Sequence, residues 1–232
     1  MNNNIIFIQS AGIGDIFFLQ HAANMFYEKG YNIIWPIKDT LMPTIRHIQS
    51  KANFIPISLY KTDNSVFKVN FQAADQLFKN ISVMEAKYNL IGKPEEAKNW
   101  LKGLKLTHWY NDKMFSNLNL RDEKGNIKKY EIVSDYVGTP PGHSRRPINI
   151  DSENEIVRVT VDDKYTIFDW LTIFFKAQKI HLVDTCYVYL LEYIFQCIKK
   201  PDDFFNMYSR FNPADFSAYN DILNLKWNFK NW

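Results

Sequence analysis

Residues 5–16 read IIFIQSAGIGDI, and this stretch decides the fold. Its first four residues form a short, β-rich apolar run, typical of a buried strand in a parallel sheet. Two glycines and an aspartate follow, and then Ile16, Leu19, Ala23 and Phe26 recur at helical spacing. Gly30 predicts the end of that helix. A strand, a glycine-containing turn and a helix in this order predict the start of a parallel α/β sheet.

The same alternation continues along the chain. Thr166 and Asp169 predict a capping box where a helix begins, and Pro94 predicts the first turn of another. The polar residues 117–129 indicate either an exposed loop or a crossing between two lobes. Further strands are predicted at 33–37, 54–57, 155–161, 180–183 and 204–208. Helices are predicted at 39–50 with Asp39 as cap, 72–79, 130–137 ended by Gly138, 168–177, 184–198 and 215–225.

Composition narrows the possible classes. The chain has 232 residues, 46% of them hydrophobic, which provides a core and argues against disorder. A net charge of +3 gives no footprint for nucleic acid, so we expect none as a partner. No apolar window suits a bilayer crossing and the first residues lack a signal-peptide pattern, so we expect a cytoplasmic protein without an integral membrane segment.

The cysteines and histidines predict neither a metal nor a cofactor. Cys186 and Cys197 are the only cysteines, and a reduced compartment is the simpler interpretation of so small a number. No Cys/His group has the spacing of a zinc site.

The turn at Gly12-x-Gly14-Asp15 is the strongest local signal for a ligand. Two glycines let a ligand approach the main chain, and the following helix directs free N–H groups toward it. Phe17 stands where a dinucleotide fingerprint needs its third glycine, and no Gly-Lys-Ser/Thr follows as in a P-loop. The alternative is a plain βα turn in which Asp15 caps the helix.

Asp184 and Thr185 form a similar junction in the second half. They follow a predicted strand and precede a helix, and the threonine hydroxyl suits a phosphate oxygen; a capped helix start is the alternative. His181 lies in an apolar run, where a hydrogen-bonded core histidine is the ordinary interpretation.

The loop around His143, Arg145 and Arg146 is basic. Arginine offers a planar fork to phosphate oxygens, so this loop is a candidate clamp for a diphosphate. A solvated basic loop is the alternative interpretation.

Residues 5–16 resemble the opening of the heptosyltransferase-like glycosyltransferases of the GT-B fold, which begin with a strand, a Gly-x-Gly-Asp turn and a helix. Residues 165–170 (YTIFDW) and 177–185 (AQKIHLVDT) resemble the second-lobe motif of that family. There a helix leads into a strand, and an Asp-Ser/Thr pair meets the donor phosphates.

This resemblance implies an α/β fold of two Rossmann-like lobes with parallel sheets, the second lobe compact. Residues 1–125 would form the acceptor-side lobe and residues 126–232 the nucleotide-sugar-side lobe. The implied activity is metal-independent, inverting transfer of a sugar from a nucleotide-sugar donor to a glycan or lipid-linked acceptor, with Asp15 as general base. The residues expected to bind the substrate or the donor are Gly12, Gly14, Arg145, Arg146, His181, Asp184 and Thr185.

The sequence departs from the family pattern at three points. Cys186 stands where the family has glycine, Tyr189 stands where it usually has histidine, and the second lobe is short. These departures leave an alternative open: a non-catalytic nucleotide-binding or scaffold protein with a decayed GT-B fold.

Overall fold

The computed structural model describes residues 3–10, 12–62, 65–78, 81–107, 110–138, 143–160, 165–210, 215–219 and 221–231. The chain divides into two compact units. Unit 1 comprises Met1–Thr107 and Ser217–Leu223, and unit 2 comprises His108–Phe216 and Asn224–Trp232. Each unit is an α/β structure around its own parallel sheet, so the described residues form two Rossmann-like lobes.

Unit 1 has four parallel strands in the order β3-β2-β1-β4. Phe7 lies at the centre of its core, with ring centroids 5.5, 5.2 and 4.9 Å from those of Phe26, Trp35 and Phe71. The strands are β1 (Asn4–Ile8), β2 (Asn32–Ile37), β3 (Ala52–Pro56) and β4 (Phe67–Asn70). The α-helices are α1 (Ile13–Phe18), α2 (Gln20–Glu28), α3 (Met42–Ile45), α4 (Ala74–Leu77) and α5 (Val83–Asn89). The 3-10 helices are Asp39–Leu41, Ile57–Leu59, Phe71–Ala73, Pro94–Lys102 and Ser217–Tyr219.

Unit 2 has five parallel strands in the order β11-β10-β9-β5-β8, and a short antiparallel pair, β6 with β7. α8 contributes to its core and is buried along most of its length. The strands are β5 (Tyr130–Ser134), β6 (Tyr136–Val137), β7 (Ser144–Arg145), β8 (Glu155–Arg158), β9 (Lys179–Val183), β10 (Phe205–Tyr208) and β11 (Trp227–Lys230). The helices are α6 (Lys113–Asn117), α7 (Asp169–Lys176) and α8 (Cys186–Phe195).

Two predicted helix boundaries are confirmed by their local bonds. Gly30 has a φ of 84° after α2, and its N–H donates to the carbonyl oxygen of Tyr27 while the N–H of Tyr31 donates to that of Phe26. This pair of bonds satisfies carbonyl groups that would otherwise be orphaned at the helix end. At α7, the Thr166 N–H donates to the Asp169 carboxylate at 2.8 Å and the Asp169 N–H to the Thr166 hydroxyl at 3.4 Å.

The predicted helix at 130–137 is wrong, because Tyr130–Ser134 is the strand β5 and Tyr136–Val137 is the strand β6. β5 lies between β8 and β9, and all five of its residues are buried. A central parallel strand is covered on both faces, so it lacks the alternation that marks a half-exposed strand. Glu131 is tolerated there because Ser152, Asn154 and His181 hydrogen-bond its carboxylate.

Two other predicted helices are also wrong in extent. Residues 39–50 form a 3-10 turn followed by the four-residue α3, and Asp39 does not cap it because its carboxylate accepts bonds from the Ser58 N–H and hydroxyl. In 215–225 the described residues contain only the 3-10 turn Ser217–Tyr219, and β10 is followed by a further strand, β11. The N–H groups of Asn224 and Leu225 donate to the buried Glu192 carboxylate instead of to helical carbonyl groups.

The lobe boundary after residue 125 stays a prediction. Within unit 2, the Asn111 N–H donates to the Thr172 hydroxyl at 2.6 Å and its side-chain amide to the Asp169 carboxylate at 2.7 Å. Both partners belong to α7.

Candidate functional site

Each sheet reverses its strand order at one place, and charged side chains gather at the carboxyl edge there. In unit 1 the reversal lies between β1 and β4, and in unit 2 it lies between β5 and β9. Connections leave such neighbours in opposite directions along the sheet, which opens a crevice at their carboxyl ends, the usual ligand position in open α/β sheets.

Asp15 lies in the first turn of α1, beside the carboxyl end of β1. Its carboxylate is held through both oxygens: Lys87 Nζ lies 3.5 Å from Oδ1, and the Gln9 amide donates to Oδ2 at 3.3 Å. The N-cap of α1 is Gly12, and the Asp15 side chain contacts Lys87 and Gln9 at the sheet edge.

Gly12 is required by this arrangement. It has a φ of 79°, which L side chains rarely adopt, and a Cβ atom there would collide with the Asp15 carboxylate. Gly14, the second glycine of the turn, is already inside α1.

Lys87 connects the two strands that flank the reversal. It lies on α5 and is 3% exposed. Its ammonium donates to Gln9 Oε1 at 2.9 Å and to the carbonyl oxygen of Phe71 at 3.3 Å. Gln9 directly follows β1 and Phe71 directly follows β4, whose last residues, Ile8 and Asn70, are paired in register.

At the second edge, a buried aspartate holds two arginines. Asp135 directly follows β5 and is fully buried. Its carboxylate accepts bonds from Arg145 Nε at 3.0 and 3.1 Å and from Arg158 Nη1 at 2.9 Å. The β6–β7 pair brings Arg145 to this point, because Arg145 lies opposite Tyr136 in register.

A second buried aspartate at the same edge holds another arginine. Asp184 follows β9, and its carboxylate accepts the Arg210 N–H at 2.7 Å, while Arg210 Nε lies 3.6 Å away. Burial raises the pKa of Asp184 to about 6, although Arg210 and Arg146 oppose that shift. Arg146 donates to the carbonyl oxygen of Arg210 at 2.6 Å. Three arginines therefore contact these two carboxylates, and Arg146 donates to the backbone beside them.

Thr185 and Cys186 begin α8 beside Asp184. Thr185 is the N-cap, but its hydroxyl makes no cap bond, and its buried Oγ1 has no hydrogen-bond partner within the described ranges. Burial raises the pKa of the Cys186 thiol to about 12, so this thiol remains protonated at neutral pH. Both cysteines are free.

The two predicted histidines lie apart from these bonds. His181 is the middle residue of β9, and its Nε2 lies 2.9 Å from the Glu131 carboxylate. Burial lowers its pKa, which favours the neutral ring. His181 is therefore a hydrogen-bonded core histidine, which is the ordinary interpretation of its sequence context. Contact between His181 and a donor stays a prediction. The His143 ring packs edge-on against Tyr136, with centroids 5.5 Å apart.

The structure thus brings the predicted residues together in two groups: Gly12, Gly14 and Asp15 in unit 1, and Arg145, Arg146, Asp184 and Thr185 in unit 2. Sequence reasoning missed five polar residues in these groups, namely Gln9, Lys87, Asp135, Arg158 and Arg210. One signal was available, since a polar residue directly after a buried strand is a candidate, and Gln9 follows a strand that was predicted correctly.

No three His, Cys, Asp or Glu side chains in the part of the chain that is described lie together as a metal-binding group. Within the same part, every helix is too short or too polar to cross a bilayer.

The fold is similar to that of solved bacterial glycosyltransferases. A family 9 glycosyltransferase from Veillonella parvula matches with a TM-score of 0.53 and 9% identity, over 100% of this chain and 87% of that one. The iron-containing dodecameric glycosyltransferase TibC from enterotoxigenic E. coli matches with a TM-score of 0.50 and 10% identity, over 82% of this chain and 55% of that one. No family model and no curated protein matches the sequence. The shared property is therefore the fold.

Proposed function

We propose that the protein is a glycosyltransferase that moves a sugar from a nucleotide-sugar donor to a hydroxyl group of a glycan or lipid-linked acceptor. The observation that carries the proposal is the arginine cluster at the strand reversal of unit 2, in a chain with a glycosyltransferase fold. Guanidinium groups suit the oxygens of a diphosphate, which they bind through paired, charge-assisted hydrogen bonds.

On the donor side, Arg145, Arg146 and Thr185 would bind the diphosphate. Arg145 binds Asp135 through Nε, and its side chain is 45% exposed. The Thr185 hydroxyl and the N-terminus of α8 would add neutral donors, since a helix start favours an anion. Asp184 would orient this group through Arg210.

On the acceptor side, Asp15 would act as general base, with the backbone at Gly12 and Gly14 leaving room for the substrate. The carboxylate takes the proton of the acceptor hydroxyl, and that oxygen attacks the anomeric carbon. The bond from this carbon to the diphosphate oxygen breaks, and the diphosphate leaves with the electron pair. A single displacement of this kind inverts the anomeric configuration.

The arginines would stabilise the charge that develops on the leaving diphosphate, which is the role of a metal ion in other transferases. The proposal is therefore metal-independent, and turnover should be unchanged by EDTA. A loss of turnover that Mg²⁺ or Mn²⁺ restores would contradict this part of the proposal.

A binding experiment tests the donor side. Melting temperatures are measured with nucleoside diphosphates and a panel of nucleotide sugars, because a ligand that binds the native state raises stability. We expect a shift with at least one nucleotide, lost in Arg145→Gln and kept in Arg121→Gln. Arg121 is a matched control in the same unit, where it pairs with Asp112. The absence of any shift would count against the function.

A kinetic experiment tests the base. With the donor that binds, Asp15→Asn should lower turnover by about 10²- to 10⁴-fold, the usual contribution of a positioned general base. Turnover at the wild-type rate would remove Asp15 from the mechanism.

The alternative of a non-catalytic nucleotide-binding or scaffold protein is favoured by one observation. Cys186 adds a side chain at the first turn of α8, where the resembling family has glycine, and so narrows the approach of a phosphate to the backbone. Nucleotide binding without hydrolysis or transfer for any donor would support this alternative, and donor-specific turnover would exclude it.

A further inference from the structure

Lys87 is an unusual residue for the interior of unit 1. It lies on the buried side of α5 with Met84, Ala86 and Tyr88, and it is as inaccessible as they are. A lysine ammonium is costly to remove from water unless its charge and its donors are matched. The contacts of Lys87 therefore indicate what the residue contributes.

The Lys87 ammonium has three N–H donors, and three oxygens surround it. Two are the Gln9 side-chain oxygen at 2.9 Å and the Phe71 carbonyl oxygen at 3.3 Å, which fix it between the ends of β1 and β4. The third is Asp15 Oδ1 at 3.5 Å. The first two contacts would suffice for a structural clamp between the strands, so the third contact is an additional feature.

Gln9 contacts both Lys87 and Asp15, so the three side chains form a triangle of contacts. Its side-chain oxygen accepts from Lys87, which turns its amide nitrogen toward Asp15 Oδ2 at 3.3 Å. The Gln9 carbonyl oxygen is itself fixed by the Trp35 indole at 2.9 Å. Lys87 thus acts on both oxygens of Asp15, on one directly and on the other through Gln9.

We infer that Lys87 is a positioning residue that holds the Asp15 carboxylate in one orientation for proton transfer. The inference rests on the proposed role of Asp15 as general base. Lys87 itself is too buried to meet a substrate, whereas the Asp15 side chain is 26% exposed and is the member of the triangle that solvent reaches. Positioning matters because a displacement of about 1 Å at a reacting group costs about 10²-fold in rate.

The test compares two neighbouring residues of α5. Lys87→Met removes the ammonium and keeps most of the side-chain volume. Tyr88→Phe is the matched control, because Tyr88 is also buried and its hydroxyl donates to the Phe18 carbonyl oxygen at 3.0 Å, near the end of α1. For Lys87→Met we expect kcat for donor turnover to fall about 10- to 100-fold with KM for the donor within about twofold of wild type. Tyr88→Phe should retain wild-type kcat.

A double variant separates positioning from a general structural effect. If Lys87 acts through Asp15, Lys87→Met should not lower kcat further in an Asp15→Asn background, since groups that act as a unit are non-additive. If the loss is multiplied in the double variant, the effect is structural and the inference is overturned. Lys87→Gln, which keeps donors for Phe71, replaces Lys87→Met if the latter does not fold.

The outcomes distinguish the inference from the proposed function. Wild-type protein that turns over no donor in the panel would overturn both. Wild-type turnover together with a fully active Lys87→Met variant would overturn the positioning role alone and leave the transferase proposal intact.

Discussion

At the two strand reversals, the buried side chain of the ion pair carries opposite charge. In unit 1 the cation is buried and the carboxylate reaches solvent, with side-chain exposures of 4% for Lys87 and 26% for Asp15. In unit 2 the carboxylate is buried and the cations reach solvent, with exposures of 0% for Asp135, 45% for Arg145 and 37% for Arg158. The buried partner thus decides which charge each edge presents. One edge presents a carboxylate to solvent, and the other presents guanidinium groups.

The largest expected effect on stability comes from removing the buried carboxylate of Asp135 in unit 2. Asp135→Asn should lower the free energy of unfolding by about 2–3 kcal/mol, less than for a fully buried ion pair because both arginines are partly solvated. Urea unfolding measures the change. Asp112→Asn, which removes the exposed partner of Arg121, should cause no measurable loss. Equal effects of the two substitutions would contradict the supporting role of Asp135.

A second experiment asks whether the two edges have separate tasks. Arg146→Gln should raise the Kd of the bound nucleoside diphosphate about 10- to 100-fold, the usual cost of losing a charge-assisted hydrogen bond. Lys87→Met removes the same charge from unit 1 and should leave that Kd unchanged. Calorimetric titration of both variants gives the comparison, and a similar loss in each would show that net charge alone sets affinity.

The second buried carboxylate of unit 2, Asp184, should make the free energy of unfolding depend on pH. Burial raises its pKa from 3.8 to about 6, so between these values the folded state binds more protons than the unfolded state. This group therefore makes stability fall as pH rises through that window, by about 3 kcal/mol in total, and contributes no slope above it. Asp184→Asn should remove this component from the pH dependence of unfolding. An unchanged profile would place the pKa near its ordinary value.

The smallest expected effect on stability concerns Gly12, which lies against the Asp15 carboxylate. Gly12→Ala and Gly30→Ala both place a side chain at positive φ, and each should cost about 1 kcal/mol for that reason. Only at Gly12 would the new Cβ also meet the Asp15 carboxylate, whereas space is open at Gly30. Gly12→Ala should therefore have the lower melting temperature of the pair. The reverse order would mean that Asp15 can move aside freely.

The residues that sequence could identify are those whose signal is local. The β-rich run of β1, the glycine end of α2 and the capping box of α7 each act within a few residues, and all three are confirmed. β5 was missed because its burial comes from strands far along the chain. Lys87 was missed for a related reason: in Val-Met-Glu-Ala-Lys-Tyr-Asn a lysine is ordinary on a helix surface, and only tertiary packing buries it.

The candidate site follows the same division. Asp15 and Asp184 stand beside local turn signals and were selected. Arg158 and Arg210 have none, since Arg158 ends a strand and Arg210 follows another, and each gains significance only through an aspartate more than twenty residues away in sequence.

The assignment of Ser217–Leu223 to unit 1 has a consequence for synthesis. The fully buried Trp100 indole donates to the carbonyl oxygen of Ile222 at 2.8 Å, a partner 122 residues later in the chain. On the ribosome, the first unit to emerge must wait for this segment before its interior is complete. A recombinant fragment that stops at residue 107 would lack the Ile222 carbonyl oxygen as acceptor for the indole N–H. Neither unit is a single continuous segment of the chain, because Ser217–Leu223 belongs to unit 1 and interrupts unit 2.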